Sequence, residues 1–394
     1  MKKTQSLHFA GWAAAAFLAI ALLFSGCRTA PDYPGYKVIE KRFVSEVNAD
    51  CIYLEHEASG ARLFKIAADD PNKTFCVAFQ TVPEMDAGTP HIMEHSVLNG
   101  SKNFPVKSPF DVLMKGSLNT FLNAMTGSDF TMYPVASMND KDYFNLMHVY
   151  LDAVFNPLIY DDPRIFMQEG WHYELTDKEA PLTIKGVVYN EMKGSFSSPT
   201  RELMFQIMKN LFPENGYSHS SGGYPPAIPD LSYEEFLDFH RRYYHPSNSY
   251  ILLYGDADLS KELEFIDREY LSQYEESEFE AGFPLNPPFD AVKELEKSYS
   301  VMPGAPVEDQ TYLALNFVIG QNTDEALVMS LDALSDVLVN QESAPVRLAL
   351  QEAGIGKDVT AMVNPLHQNV FIILAMNADP EDKDSFRETV MDTL

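Results

Sequence analysis

The stretch His91-Ile92-Met93-Glu94-His95 restricts the possible folds more than any other in the sequence. In an α-helix each residue turns ~100° about the axis, so Glu94 falls ~60° to one side of His91 and His95 ~40° to the other. All three then share one face. Two neutral imidazoles on successive turns suit a tetrahedral zinc ion, and a carboxylate beside them suits proton transfer from water. Such a site needs a third protein ligand, which the chain has to fold back to supply. The same spacing also describes a polar helix face without a metal, and the motif alone leaves both readings open.

The flanking sequence reads as a mixture of strands and helices. Cys51 to Ile66 alternates in polarity around Gly60, as a hairpin does, and TFCVAFQTV from Thr74 to Val82 reads as a strand. Pro90, tolerated in a first helical turn, marks a helix start just ahead of His91. LNTFLNAMTGSDFTMYPVAS, Leu118 to Ser137, reads as a second hairpin turning at GSD. Tyr143, Leu146, Met147, Tyr150, Leu151 and Val154 recur at helical spacing and stop before Asn156 and Pro157. Ser232 and Glu235 form a capping box for a helix ending before Pro246, and YILLYG, Tyr250 to Gly255, is expected as a fully buried strand. This pattern predicts an α+β, two-layer fold with a mainly antiparallel sheet packed by helices. After a proline-rich acidic stretch, TYLALNFVIG and the helical segment Leu331 to Gly354 echo TFCVAFQTV and the helix from His91, but without a histidine pair. They read as a weak internal repeat.

Charge excludes one class of partner. With 57 acidic against 29 basic residues and a net charge of −28, the chain lacks the clustered cations that binding a nucleic-acid backbone requires. At the N-terminus, Lys2 and Lys3 precede the apolar run Phe9 to Phe24, followed by Ser25-Gly26-Cys27. This resembles a bacterial lipoprotein signal, with Cys27 as the lipidated first residue of the mature chain, and predicts an extracytoplasmic, lipid-anchored location in the cell envelope. An uncleaved membrane helix is the other reading. The remaining cysteines, Cys51 and Cys76, sit in apolar strand-like segments and are expected as buried thiols.

For the third ligand, Glu191 in IKGVVYNEMKGSFSSP stands out as an acid in an apolar stretch, either bound to a metal or at a solvated helix edge. HIMEHSVLNGSKNFPVKSPF, KGSLNTFLNAMTGSDFTMYPVAS, YLDAVFNPL, QEGWHYEL, GVVYNEMKGSFSSP and FHRRYYHPSNSYILLYGDA, taken in order, resemble blocks of the presequence-protease branch of the pitrilysin and insulysin metallopeptidases. Those enzymes carry the inverted zinc motif. The resemblance runs from about residue 40 to Leu394. It implies one zinc ion held by His91, His95 and Glu191, with Glu94 as general base. It also implies peptide substrates that add as a strand at a sheet edge beside Asn123 and Ala124.

Together these readings predict a signal peptide at 1–26, a tether at 27–39, a catalytic zinc peptidase domain at 40–275 and, from its proline-rich acidic composition, a linker at 276–308. Residues 309–394 would be an incomplete, noncatalytic second copy of the fold. Relatives enclose their substrate between two halves, so this chain is expected to be a piece of a longer protein. Alone it would bind zinc and cleave weakly or not at all, unless a missing half or partner subunit completes it. The alternative is a noncatalytic, lipid-anchored subunit of the same fold that captures peptides. His148, His172, His219, His240 and His245 are expected as packing or surface histidines, Trp171 as a core residue, and Glu169 has no evident ligand role.

Overall fold

The computed structural model describes residues 33–394, so the expected signal peptide and Cys27 lie outside the described residues. The chain opens with strands β1 (Tyr36–Val44), β2 (Ala49–His56), β3 (Arg62–Ala67) and β4 (Lys73–Gln80). Helices α1 (Thr89–Val97) and α2 (Pro109–Gly116) lead to β5 (Asn119–Leu122), β6 (Met125–Thr126) and β7 (Phe130–Ser137). Then come α3 (Asp140–Phe155), α4 (Pro163–Glu169), the hairpin β8 (His172–Glu174) and β9 (Thr183–Lys185), α5 (Val187–Ser195), α6 (Pro199–Leu211), α7 (Tyr233–Tyr243), β10 (Ser249–Tyr254) and α8 (Leu259–Glu269).

The main sheet runs β1-β2-β3-β10-β4-β7-β5, with β6 also paired to β7. Its pairs are antiparallel apart from β10 beside β3. Helix α3 packs against β4 and β7, and the six residues picked out by its helical spacing are all fully buried. At roughly 1.5–3 kcal/mol for each large apolar side chain, that stripe is a main source of the layer's stability. The capping box at Ser232 forms as read, the Glu235 carboxylate accepting the Ser232 amide while the Ser232 hydroxyl accepts the Glu235 amide.

Two expectations need correcting. Strand β10 is central in the hydrogen-bonded order but not fully buried: Ile251 and Leu253 point into the core, while Tyr250 is 47% exposed. The sheet is covered by helices on one face, so even its middle strand alternates between core and solvent. The stretch expected as tether also contains structure, because β1 starts at Tyr36, whose buried ring donates its hydroxyl to the Leu263 carbonyl at 3.0 Å.

No helix or strand occurs between Gln273 and Thr311. This stretch is nonetheless fastened to the main layer: Phe283 stacks on Tyr217 at 4.3 Å, and the Asn286 amide donates to the Leu211 carbonyl. Beyond it come β11 (Thr311–Gln321), α9 (Glu325–Ser335), α10 (Pro345–Ala353), β12 (Asp358–Asn364), β13 (Gln368–Ala378) and α11 (Lys383–Thr393), with β13 central in an antiparallel sheet. The helical segment expected from Leu331 to Gly354 is interrupted after Asn340, and Pro345 starts the next helix. Strand β13 is buried on both faces. Val370, Ile372 and Leu374 join the main core, whereas Phe371 and Ile373 pack with Leu331, Val339, Leu350 and Phe386. Cys51 and Cys76 are buried free thiols, and burial pushes the Cys76 thiol up to about 11. No helix among the described residues is long and apolar enough to cross a membrane.

Candidate metal centre

Helix α1 has nine residues, too few to be stable alone. Ile92, Met93 and Val97 are fully buried and hold it against the core, at roughly 1.5–3 kcal/mol each. With that face turned inward, His91 and His95 project from the other, their rings edge-to-face at 4.9 Å between centroids. Pro90 occupies the first turn as read from the sequence, and Gly88 precedes the helix at φ 71°. A side chain at Gly88 would meet the Gly223 Cα at 2.5 Å, so the backbone of residues 222–223 lies directly against the helix start.

Helix α5 brings in the distant carboxylate. A methyl group on Gly186, just before this helix, would overlap the Gly170 carbonyl oxygen, so α5 begins in backbone contact with the end of α4. Val188 and Met192 are buried, which leaves Glu191 on the open side with its side chain 54% exposed. Glu191 Oε2 lies 3.7 Å from His91 Nε2 and 3.9 Å from His95 Nε2. One donor atom from each residue falls within 4.8 Å of the other two, and this is the one such group of histidine, cysteine or acidic side chains found among the described residues.

Donor chemistry and spacing both fit zinc. Bonds of about 2.0–2.1 Å in a tetrahedron place ligand atoms ~3.3 Å apart, against 3.7 and 3.9 Å from the Glu191 oxygen to the two Nε2 atoms. Three donors leave a fourth position open, as a catalytic site requires.

Both imidazoles are held from behind. His91 Nδ1 donates to the Gly222 carbonyl at 3.1 Å, and His95 Nδ1 donates to Glu169 Oε2 at 3.3 Å. Each bond fixes the tautomer that leaves Nε2 as the acceptor facing Glu191. Burial alone would lower the His95 pKa, but the hydrogen bond to Glu169 and the negative charges of Glu94, Glu169 and Glu191 outweigh it and raise it. Glu169 is therefore not a ligand by position but a buried carboxylate that orients one. The sequence offered one signal for it: an acid at the end of a short helix, directly before Gly170.

Glu94 shares the helix face and is mostly buried, with Oε2 accepting the Thr126 hydroxyl at 2.6 Å. Behind it stand Tyr133, Tyr150 and Tyr244, whose hydroxyls are pushed up chiefly by burial, with the Glu94 charge adding to the effect. Asn123 and Ala124 lie between β5 and β6 on the outermost strand. The Asn123 amide donates to the Pro134 carbonyl at 3.2 Å and its carbonyl accepts the Tyr150 hydroxyl at 3.2 Å. Both bonds commit the Asn123 backbone inward, beside the point where the chain passes from β5 to β6.

Four further histidines, His148, His172, His240 and His245, lie outside this cluster. His240 accepts the Tyr160 hydroxyl and donates to the Val154 carbonyl, and burial lowers its pKa to about 4. His148 sits against the rings of Phe104 and Phe265, His172 bonds the Met167 carbonyl, and His245 caps a short turn. The Trp171 indole donates to the Leu231 carbonyl and packs against the core.

The family model described as Peptidase M16 inactive domain matches residues 230–394, a span that contains none of His91, Glu94, His95 or Glu191. Protein HypA of Clostridium perfringens (strain 13 / Type A) is 48% identical over 92% of this chain and 37% of its own length. Presequence protease 1, chloroplastic/mitochondrial, of Arabidopsis thaliana is 40% identical over 91% of this chain and 34% of its own length. Among solved structures, pitrilysin superposes with a TM-score of 0.61 at 15% identity, over 91% of this chain and 37% of that one. A protease from Helicobacter pylori gives 0.60 at 16% identity, over 91% of this chain and 79% of that one. The chain is thus similar in sequence to an M16 family domain and to presequence protease, has a pitrilysin-like fold, and spans about a third of the length of the curated relatives it matches.

Proposed function

We propose that this chain carries the zinc centre of a metalloendopeptidase that hydrolyses unstructured peptides. The observation that carries the reading is the convergence of His91 Nε2, His95 Nε2 and Glu191 Oε2, from two helices far apart in sequence, within 4.8 Å. His91, His95 and Glu191 would hold the ion. Bound there, zinc would supply Lewis acidity, acidifying water and polarising a carbonyl.

The remaining chemistry belongs to the chain. Glu94 accepts a proton from the attacking water and returns it to the leaving amine, a role worth about 10²–10⁴-fold for a positioned general base. The Thr126 hydroxyl engages one Glu94 oxygen, leaving the other for proton transfer. A peptide adds in extended form along the β5–β6 edge, beside Asn123 and Ala124. Backbone pairing of this kind selects for unfolded chain rather than for a particular sequence. We also propose anchoring through lipidated Cys27 on the extracytoplasmic side of the envelope. Metabolic labelling with a radioactive fatty acid tests this: label is expected on the wild type and absent from Cys27→Ala, and unlabelled wild type refutes it.

The test of the catalytic reading is metal content together with peptide turnover. One zinc per chain is expected, retained by Glu94→Gln and lost by Glu191→Ala, and any cleavage of an unstructured fluorogenic peptide is lost in both variants. A wild-type chain that binds no zinc, or measurable wild-type cleavage that Glu94→Gln matches, refutes it.

A further inference from the structure

We infer that Asp86 is a positioning residue for the metal centre, fastening residues 219–224 to the start of α1 so that the Gly222 carbonyl holds His91 with Nε2 turned towards His95 and Glu191. The inference rests on the zinc reading proposed above and concerns how that site is kept in shape.

Asp86 lies just before α1, and both its side chain and its backbone are committed to one loop. Its Oδ1 accepts the Ser220 amide at 3.1 Å and faces His219 Nδ1 at 3.4 Å, while Oδ2 pairs with Lys209 Nζ at 2.5 Å. Its own carbonyl accepts the Tyr224 amide at 2.7 Å. Gly222 is therefore bracketed, two residues to either side, by bonds to a single residue. Between the two anchors, the backbone of residues 222–223 fits against Gly88 with no room for a side chain. The carboxylate is only 14% exposed. Burial would raise its pKa, but His219, Lys209 and the Ser220 amide overcome that and hold it at about 2.

The consequence for the metal site is geometric. A backbone carbonyl carries no net charge, so Gly222 acts on His91 chiefly through where its oxygen sits. The bond to His91 Nδ1 is 3.1 Å long. A retreat of about 0.5 Å would take it to ~3.6 Å, beyond hydrogen-bond range, and free the ring to turn. What fixes the loop thus fixes the ligand, and Asp86 supplies both anchors.

The experiment uses the whole chain with zinc and cobalt(II) as probes, in wild type, Asp86→Ala and Asp86→Asn. Zinc affinity is read by competition with a chromophoric chelator, site geometry by cobalt absorption, and folding by the thermal midpoint of the metal-free protein. Asp86→Ala is expected to bind zinc about 10–100-fold more weakly, the range for lost outer partners of a metal ligand, with altered cobalt absorption, in a chain that still folds without metal but with a lowered midpoint because the Ser220 and Lys209 partners are lost. Asp86→Asn keeps an oxygen for the Ser220 amide and is expected to bind within about threefold of wild type, well short of that outer-partner loss. Wild-type affinity in Asp86→Ala overturns the inference. So does equal weakening in both variants, which would assign the effect to charge, and so does a weakening that leaves the cobalt absorption of Asp86→Ala identical to that of wild type. A wild type without stoichiometric zinc overturns the zinc reading itself, and that result is visible before any variant is compared.

Discussion

Replacing Glu169 with glutamine removes one charge behind the metal centre and preserves the side-chain shape. In the wild type this carboxylate, 5% exposed, accepts the His95 Nδ1 proton at 3.3 Å. A hydrogen bond involving a charged group contributes about 1.5–3 kcal/mol, against about 0.5–1.5 kcal/mol for a neutral pair. The substitution therefore costs about 1–1.5 kcal/mol of ligand orientation and basicity, or about five- to twelvefold in zinc affinity where His95 is already neutral. Proton competition works in the opposite direction. Against the effect of burial, Glu169 is the chief group holding the metal-free His95 pKa up, so the wild type has to displace a more tightly held proton in acid. In the variant that proton leaves more readily. The wild-type advantage is thus expected to be larger at about pH 8 than at about pH 6, because the raised His95 pKa makes the wild type hold its competing proton more tightly as pH falls. Chelator competition at the two pH values measures both effects. Equal affinities at pH 8, or an advantage that grows on acidification, would refute the orienting role of Glu169.

Glu191→Ala removes one of three donors and should weaken zinc by more than the roughly 100-fold ceiling typical of outer-sphere changes, measured by the same competition. Glu94→Gln should leave zinc stoichiometry intact, because Glu94 is not among the converging donors, and should reduce any peptide turnover by about 10²–10⁴-fold in a stopped fluorogenic assay. Away from the site, Lys65 is 1% exposed and bonded at 2.7 Å to the fully buried Glu262, which also accepts the Tyr143 hydroxyl at 2.7 Å. Lys65→Met leaves that carboxylate in the core without its cation and should cost about 3–5 kcal/mol in urea unfolding, with much of the loss recovered in Lys65→Met/Glu262→Leu.

What could be read from the sequence was local or periodic. His91, Glu94 and His95 share a face because of helical geometry, and the buried stripe of α3 follows from the same 3.6-residue repeat. The Ser232 cap and the two hairpins depend on contacts within a few residues, which residue type and spacing encode. Glu191 is different: it stands out as an acid in an apolar stretch, but nothing near it separates a ligand from a solvated helix edge, and only the resemblance to a family of longer proteins favours the ligand. Glu169 escaped because an orienting carboxylate acts through tertiary contact, which leaves no periodic trace. The Gly222 carbonyl could not be read at all, since every residue has one. The adjacent glycines at 222 and 223 did hold a clue, because paired glycines permit close backbone approach. Strand β10 was recognised as a strand, but its place between β3 and β4, parallel to one and antiparallel to the other, depends on the path of the chain through α7 rather than on its own residues.

Zinc K-edge X-ray absorption on the zinc-loaded chain tests the central claim most directly. The expected result is one zinc per chain with a first shell of two imidazole nitrogens and carboxylate or solvent oxygen at about 2.0–2.2 Å, the imidazole scattering falling when His91 or His95 is replaced. A spectrum showing sulfur at about 2.3 Å, or an unchanged first shell after His91→Ala, would contradict it.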